Sequence, residues 1–296
     1  MTGTPFASLL YIPHLLLDDG FRRRVLGRQA SAGPLGLFWG WFDNLSSAEK
    51  ASAIAPLMNK LRPFTLRSSL RALVGQVEPK FDPIEVFTKR RVLLVPLRKG
   101  LIGTEAANLI GSLVMSRLWQ LTLQRSQIPA ERRHGVFAYL DEFQDYLHLP
   151  TDFADVLAQA RGLGLGLVLA HQHLGQLNTS VRDAVLANAQ SRVCFRLGHD
   201  DAARMARGAG VLEADDFTSL GAFETYMSLL DGGETTAFAS ARTFEPTRAF
   251  RSADRLGRRL AEEWGRQPGE IEGLLRGDEQ PLEVDEPIGR KKRGSS

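Results

Sequence analysis

The sequence predicts an α/β protein. A small all-helical part comes first, then a parallel sheet of short strands flanked by helices, and last a charged helix with a disordered basic tail. Three observations carry this expectation. Apolar residues recur at helical spacing as far as Gly75, short β-branched runs alternate with amphipathic segments from Arg91 onward, and charge dominates after Phe250. A length of 296 residues accommodates one large domain with a smaller satellite, and the expected division is 1–82, 83–250 and 251–296.

Taken in order, Asp18 or Asp19 caps a helix through Phe21 to Arg28, and Ser46-Ser47-Ala48-Glu49 forms a capping box. Ala53, Ile54, Leu57, Met58 and Leu61 then keep helical spacing until Pro63, where the helix is expected to stop. A short helix from Leu66 to Val74 ends at Gly75. Arg91 to Leu97 is a β-branched run suited to a buried parallel strand, and Thr104 to Gln124 is a long amphipathic helix. Further strands are expected at Val136–Leu140, Leu165–Ala170 and Arg192–Leu197, with helices at Phe153–Arg161, Val181–Gln190 and Asp200–Arg207. Glu224 to Leu230, Asp231-Gly232-Gly233 and Glu234 to Ala241 read as a hairpin. This alternation implies a parallel sheet covered on both faces. Pro281 to Ser296, ending in Arg290-Lys291-Lys292-Arg293, reads as the disordered tail, either a solvated terminus or a weak nucleic-acid contact.

Composition excludes several classes of function. Apolar residues at 43% and charged residues at 24% support a packed core, and a single cysteine rules out both a disulfide framework and a thiolate-rich zinc site. The longest apolar run is too short for a membrane helix, and no basic segment precedes Leu9 to Leu17, so the chain is expected to be soluble and cytoplasmic. The formal net charge is +3.

The sharpest chemical signal is Val136-Phe137-Ala138-Tyr139-Leu140-Asp141-Glu142, an apolar strand that delivers two adjacent carboxylates at its carboxyl end. Ligands of open α/β sheets sit beyond that end of the strands. Asp141 can hold Mg²⁺, and Glu142 can orient or deprotonate a water attacking a nucleotide γ-phosphate, as in a Walker B strand. The alternative is an ordinary acidic turn. Gln172, after the next strand, is placed to sense the γ-phosphate or position water, or is a loop hydrogen-bonder. Arg161, at a helix end, is either an arginine finger for a neighbouring subunit or a cation meeting the helix dipole.

These residues carry a resemblance. Tyr139-Leu140-Asp141-Glu142-Phe143-Gln144, Ala158-Gln159-Ala160-Arg161-Gly162 and Leu167-Val168-Leu169-Ala170-His171-Gln172 resemble the FtsK/HerA superfamily of hexameric DNA-pumping ATPases. Within it the chain is most similar to the TraG/TraD-type coupling proteins of conjugative type IV secretion. Leu174-Gly175-Gln176-Leu177, Ala187-Asn188-Ala189 and Phe195-Arg196-Leu197-Gly198 extend the match, which covers roughly Leu16 to Phe244. The resemblance implies a partial RecA-like core preceded by an all-α subdomain. It makes Asp141 and Glu142 the Walker B pair, Gln172 the γ-phosphate sensor and Arg161 the finger acting in trans. ATP and Mg²⁺ are the implied cofactors of the intact motor. The implied partners are single- or double-stranded DNA held without sequence preference, a homo-hexamer or ring with a Walker A-bearing polypeptide, and relaxase or secretion-channel proteins, with possible placement at the inner face of the cell membrane through them. His171 departs from the family, where a small hydroxyl residue is common.

A larger departure is the missing phosphate cradle. A P-loop needs G-x-x-x-x-G-K-[ST], and none of the seven lysines follows a glycine. The sequence therefore reads as the carboxyl-terminal part of a motor, truncated, split or retained as a remnant, with no appreciable ATPase of its own. A non-catalytic binding protein that kept the fold is the second reading, and a DNA-binding module the third. Weaker signals are set aside: Gly162-Leu163-Gly164-Leu165-Gly166 precedes a strand and so suits a tight turn better than a dinucleotide loop, and His171-x-His173 lacks a third ligand. Cys194 reads as an inert core thiol, and Phe38, Trp39, Trp41 and Phe42 as a small helical core.

Overall fold

The computed structural model describes residues 8–27, 33–76, 80–147, 151–267 and 269–271. The chain is mixed α/β and divides into two units, Met1–Phe81 with Arg251–Ser296, and Asp82–Phe250. The expected tail from Pro281 to Ser296 lies outside the described residues.

The first unit begins with helices α1 (Tyr11–Leu17), α2 (Asp19–Leu26), α3 (Gly33–Asp43), α4 (Ser47–Leu66) and α5 (Ser68–Val74). Asp18 caps α2 by accepting from the Phe21 amide at 2.9 Å, a bond that also holds its carboxyl below the ordinary range. The capping box is present: Ser46 N donates to Glu49 at 2.8 Å and Glu49 N to the Ser46 hydroxyl at 3.4 Å. The expected stop at Pro63 is overturned, since α4 continues to Leu66 with Pro56 and Pro63 inside it. Each proline removes one donor, and the Arg67 amide still closes the last turn on the Pro63 carbonyl at 3.3 Å. At Gly75 a Cβ would lie 2.5 Å from the Arg71 carbonyl, which explains the glycine after α5.

The aromatic cluster of α3 is only half a core. Trp39 and Phe42 are buried, whereas Phe38 and Trp41 are exposed. The buried Arg22 guanidinium stacks 4.3 Å from the Trp39 ring and bonds Asp19 and Asp43, each at 2.7 Å, so this cation is paired rather than stranded.

The second unit contains α6 (Glu85–Thr88), α7 (Lys99–Ile102), α8 (Thr104–Gln124), β1 (Val136–Leu140), α9 (Phe153–Ala160), β2 (Leu165–Leu169), α10 (Thr179–Asn188), β3 (Arg192–Cys194), α11 (His199–Ala206) and α12 (Ala214–Thr218). Strands β4 (Glu224–Ser228), β5 (Leu230–Asp231), β6 (Glu234–Thr235) and β7 (Ala239–Arg242) follow, and α13 (Ala253–Trp264) returns to the first unit. Helix α8 matches the expected span to the residue. The hairpin also forms, turning at Gly232 and Gly233, whose positive φ values of 56° and 94° suit glycine.

Strands β1 and β2 pair in parallel from Val136↔Leu165 to Leu140↔Leu169. Three expectations fail around them. Arg91 to Leu97 pairs with no strand among the described residues. β3 joins β4 and β7 in a separate antiparallel sheet and stops at Cys194, three residues short of its expected end at Leu197. Among the described residues, the parallel sheet is also covered on one face only. Strand alternation points Val136, Ala138, Leu140, Leu165, Leu167 and Leu169 into a core with Trp119, Phe143, Val156 and Val181. The same alternation turns Phe137 and Tyr139 the other way, where they remain 68% and 76% exposed, with no helix packed over them among the described residues.

The glycine-rich turn before β2 is structural, as the strand that follows it implied. Gly164 has φ +74°, and an added Cβ would stand 3.2 Å from Arg125, whose buried guanidinium donates to the Gly164 and His134 carbonyls. Gly164→Ala is expected to lower stability by about 1–2 kcal/mol. Urea unfolding checks this, and an unchanged midpoint would refute the strained-turn account.

Candidate functional site

The candidate site is assembled where β1 and β2 end. The Ala170 amide donates to the Leu140 carbonyl at 2.9 Å and the Phe143 amide to the Ala170 carbonyl at 3.2 Å, which ties the two strand exits together. Between these bonds the chain must turn sharply, and Glu142 takes a left-handed conformation, φ 51° and ψ 49°. A non-glycine residue there costs about 1–3 kcal/mol and persists only when its surroundings fix it. Phe143 supplies that fixing: it is fully buried, stacked 5.9 Å from Phe153 and edge-on to His171 at 5.8 Å.

The turn aims the Glu142 carboxylate at two amides. Gln172 donates to Oε1 at 2.7 Å and Gln144 to Oε2 at 2.7 Å. These bonds, Gln144 first and Gln172 next, hold the carboxyl below its ordinary value of 4.5, helped by the charge of Lys99 and opposed by burial. The loop carrying Gln172 is itself fixed. Gln176 accepts from the Gln172 and His173 amides at 3.1 and 3.2 Å, and the buried Asp201 accepts from the Leu174 amide at 2.9 Å.

The neighbouring acids behave differently. Asp141 is exposed and makes no side-chain hydrogen bond or ion pair among the described residues, so its oxygens face solvent. Asp145 pairs with Lys99, which raises the lysine pKa. A hard cation that keeps most of its waters and takes one or two carboxylates suits Asp141. No cluster of three or more His, Cys, Asp or Glu side chains placed to hold a metal ion exists among the described residues.

Of the four residues singled out from sequence, Glu142 and Gln172 are in direct contact and Asp141 is adjacent. Arg161 is not with them. It is exposed in the turn before β2, whereas Gln172 follows β2, so the two lie at opposite ends of a five-residue strand, about 15 Å apart along it. His171 packs edge-on against Phe143, with Nδ1 buried and unbonded among the described residues. Cys194 is buried, and burial pushes its thiol up.

Sequence reasoning missed Gln144, Gln176, Lys99 and Asp145 as parts of the site. Gln144 and Gln176 stand within the quoted motifs, and an amide two residues after the acid pair was a readable signal. Lys99 is 46 residues from Asp145 and carried none.

The pH consequence follows from the sign of the shift. A carboxyl lowered by native bonds favours folding above its unfolded pKa and loses that contribution as pH falls through its lowered native value. The side-chain amide NMR signals of Gln172 and Gln144 should therefore stay fixed from pH 7 to 5 and move only at more acid pH. Movement near neutrality would show that Glu142 is not held as the ionised acceptor.

No helix among the described residues is long and apolar enough to cross a membrane. Comparison of the chain with models of protein families, with curated proteins and with solved structures finds no match.

Proposed function

We propose that the second unit is the Walker B-bearing portion of a RecA-like, DNA-translocating ATPase of the conjugative coupling-protein kind. One observation carries the reading: an acid at the exit of one parallel strand is clasped by the amide at the exit of its neighbour, Glu142 by Gln172 at 2.7 Å. That arrangement lets a change at the amide be felt at the acid. Asp141, free of protein partners, would hold magnesium. Magnesium held there would supply charge neutralisation to the γ-phosphate of a bound nucleotide. Glu142, anionic and held by two amides, is a weak proton store, so its work is to orient water through an oxygen lone pair rather than to keep a proton. Exposure of Arg161 at the far end of β2 supports reach toward a neighbouring subunit in a ring. DNA would be gripped through its phosphates, without sequence preference.

The sequence has no Gly-Lys pair, so the phosphate cradle must come from a second polypeptide or a further segment. The test mixes the full chain with a separately produced Walker A-bearing polypeptide of the coupling-protein kind, adds DNA, and follows phosphate release. Hydrolysis is expected from the mixture, not from the chain alone, and is expected to vanish with Glu142→Gln. Equal release by the wild-type and Gln mixtures overturns the reading. The second reading, a non-catalytic module that kept the fold for binding, is favoured by the uncovered apolar face of the sheet and predicts no hydrolysis on mixing.

A further inference from the structure

The second unit has a cleft on its antiparallel side that the chemistry at Glu142 does not use. Its volume is about 430 Å³, within the range of cavities that hold small organic ligands. The end of α10, strands β3, β4 and β6 and the loop after α11 form it. Arg192 is the one charged residue of the lining, which contains no Asp, Glu, Lys or His; Asp231 and Glu234 of the neighbouring hairpin lie outside it. Two of the five N–H donors of this guanidinium are spent on carbonyls at the end of α10, Nε on Ala189 at 3.3 Å and Nη2 on Leu186 at 2.6 Å. No carboxylate pairs with it among the described residues, so its remaining donors and its charge lack a counter-ion. A half-buried cation in that state favours an anionic ligand.

The rest of the lining is uncharged. The Gly210 amide has no backbone partner among the described residues, and a Cβ added there would meet nothing within 4 Å, so the main chain is approachable. The Thr236 hydroxyl accepts from the Leu229 amide at 3.0 Å and keeps its own proton to donate. Ala187, Ala209 and Phe238 supply apolar wall, and the Phe238 ring is fixed edge-on to the fully buried Phe217 at 5.6 Å.

We infer that this cleft binds a small organic monoanion, a carboxylate on a short apolar or aromatic body. Arg192 takes the carboxylate, and the wall of Ala187, Ala209 and Phe238 takes the body. One guanidinium balances one negative charge, and its planar fork matches the two oxygens of a carboxylate. A phosphate monoester would bring about two negative charges to a single cation. The inference rests on the cleft and its lone charge and is independent of the nucleotide chemistry proposed above.

An NMR titration of the full chain with benzoate tests it, read at the Gly210 amide and the Arg192 Nε–H. The comparison probes are benzamide, which keeps the body without the charge, acetate, which keeps the charge without the body, and phenyl phosphate. Benzoate should shift both signals to saturation, benzamide and acetate should bind about tenfold more weakly or less, and phenyl phosphate should bind no tighter than benzoate. Arg192→Gln should weaken benzoate about tenfold or more. Because Arg192 also bonds the end of α10, a second variant leaves it in place: Ala187→Phe, at an exposed helical position of the lining, fills the cleft. It should weaken benzoate to the same degree while the circular dichroism and the unfolding midpoint stay unchanged. Absence of saturable shifts, benzamide or acetate binding as well as benzoate, or benzoate binding that survives Ala187→Phe or a folded Arg192→Gln overturns the inference. Phenyl phosphate binding about tenfold tighter than benzoate would assign the cleft to phosphate esters and overturns it as well.

Discussion

Phe143→Ala should lower the unfolding free energy of the second unit by about 3–5 kcal/mol. The ring is fully buried, touches Phe153 at 5.9 Å and His171 at 5.8 Å, and belongs to the core formed by α9, α10, β2 and the inward face of β1. Truncation removes the transfer energy of the ring and leaves a cavity that strands held by five paired positions cannot close. A second effect follows from the backbone. Once the anchor beside it is gone, the left-handed conformation of Glu142 has less to hold it, and the residue can relax into an ordinary region. Loss of the low-pH behaviour of the Gln172 amide should therefore accompany the loss of stability. Urea unfolding with tryptophan fluorescence provides the first readout, through the buried Trp119 of the same core. A change below about 1 kcal/mol, typical of surface substitutions, would show that Phe143 is not the anchor. Phe143→Leu should fall between the two and keep the Glu142 geometry.

The second large effect is expected on activity rather than stability. Glu142→Gln keeps the size of the side chain but removes the charge and turns one acceptor into a donor, so one of the two amide bonds from Gln144 and Gln172 must break or invert. In the reconstituted mixture, loss of the water-orienting carboxylate should reduce hydrolysis about 10²–10⁴-fold while nucleotide binding persists. Because the site lies at the surface end of the strands, the unfolding midpoint should move little. Gln172→Ala should cause a smaller loss, since Gln144 still holds the carboxylate in position. If Gln172→Ala matched Glu142→Gln in a mixture that does hydrolyse ATP, the amide and not the acid would be the essential group.

Much of the local structure was legible in the residues. The box of Ser46 and Glu49, the cap at Asp18 and the span of α8 depend on contacts between residues three or four apart, which any reader of the sequence can see. The same is true of the Asp141-Glu142 turn, because a strand that ends in two acids places them at its carboxyl end wherever the sheet goes. The partnership of Glu142 with Gln172 was legible only as a juxtaposition of two strand exits. Gln144, two residues from Glu142, could have been read locally, whereas Asp201 holds the Gln172 loop only once segments 27 residues apart are folded together.

The remaining differences are of one physical kind. Arg91 to Leu97 has the composition of a buried strand, yet a strand is a pairing relation, and no partner strand among the described residues completes it. Arg192 to Cys194 has similar composition and joins an antiparallel sheet, since the direction of a neighbour is not written in a strand's own residues. Arg161 follows its helix as expected, but which end of the sheet it occupies depends on β2 running away from it. The sequence by itself therefore determined the span of α8, the caps at Asp18 and Ser46, the acidic exit of β1 and the absence of a Gly-Lys pair, all of which depend on neighbours in the chain. The tertiary structure alone decided which strands pair, which face stays bare and which amides hold Glu142, because these depend on contacts between segments far apart in sequence.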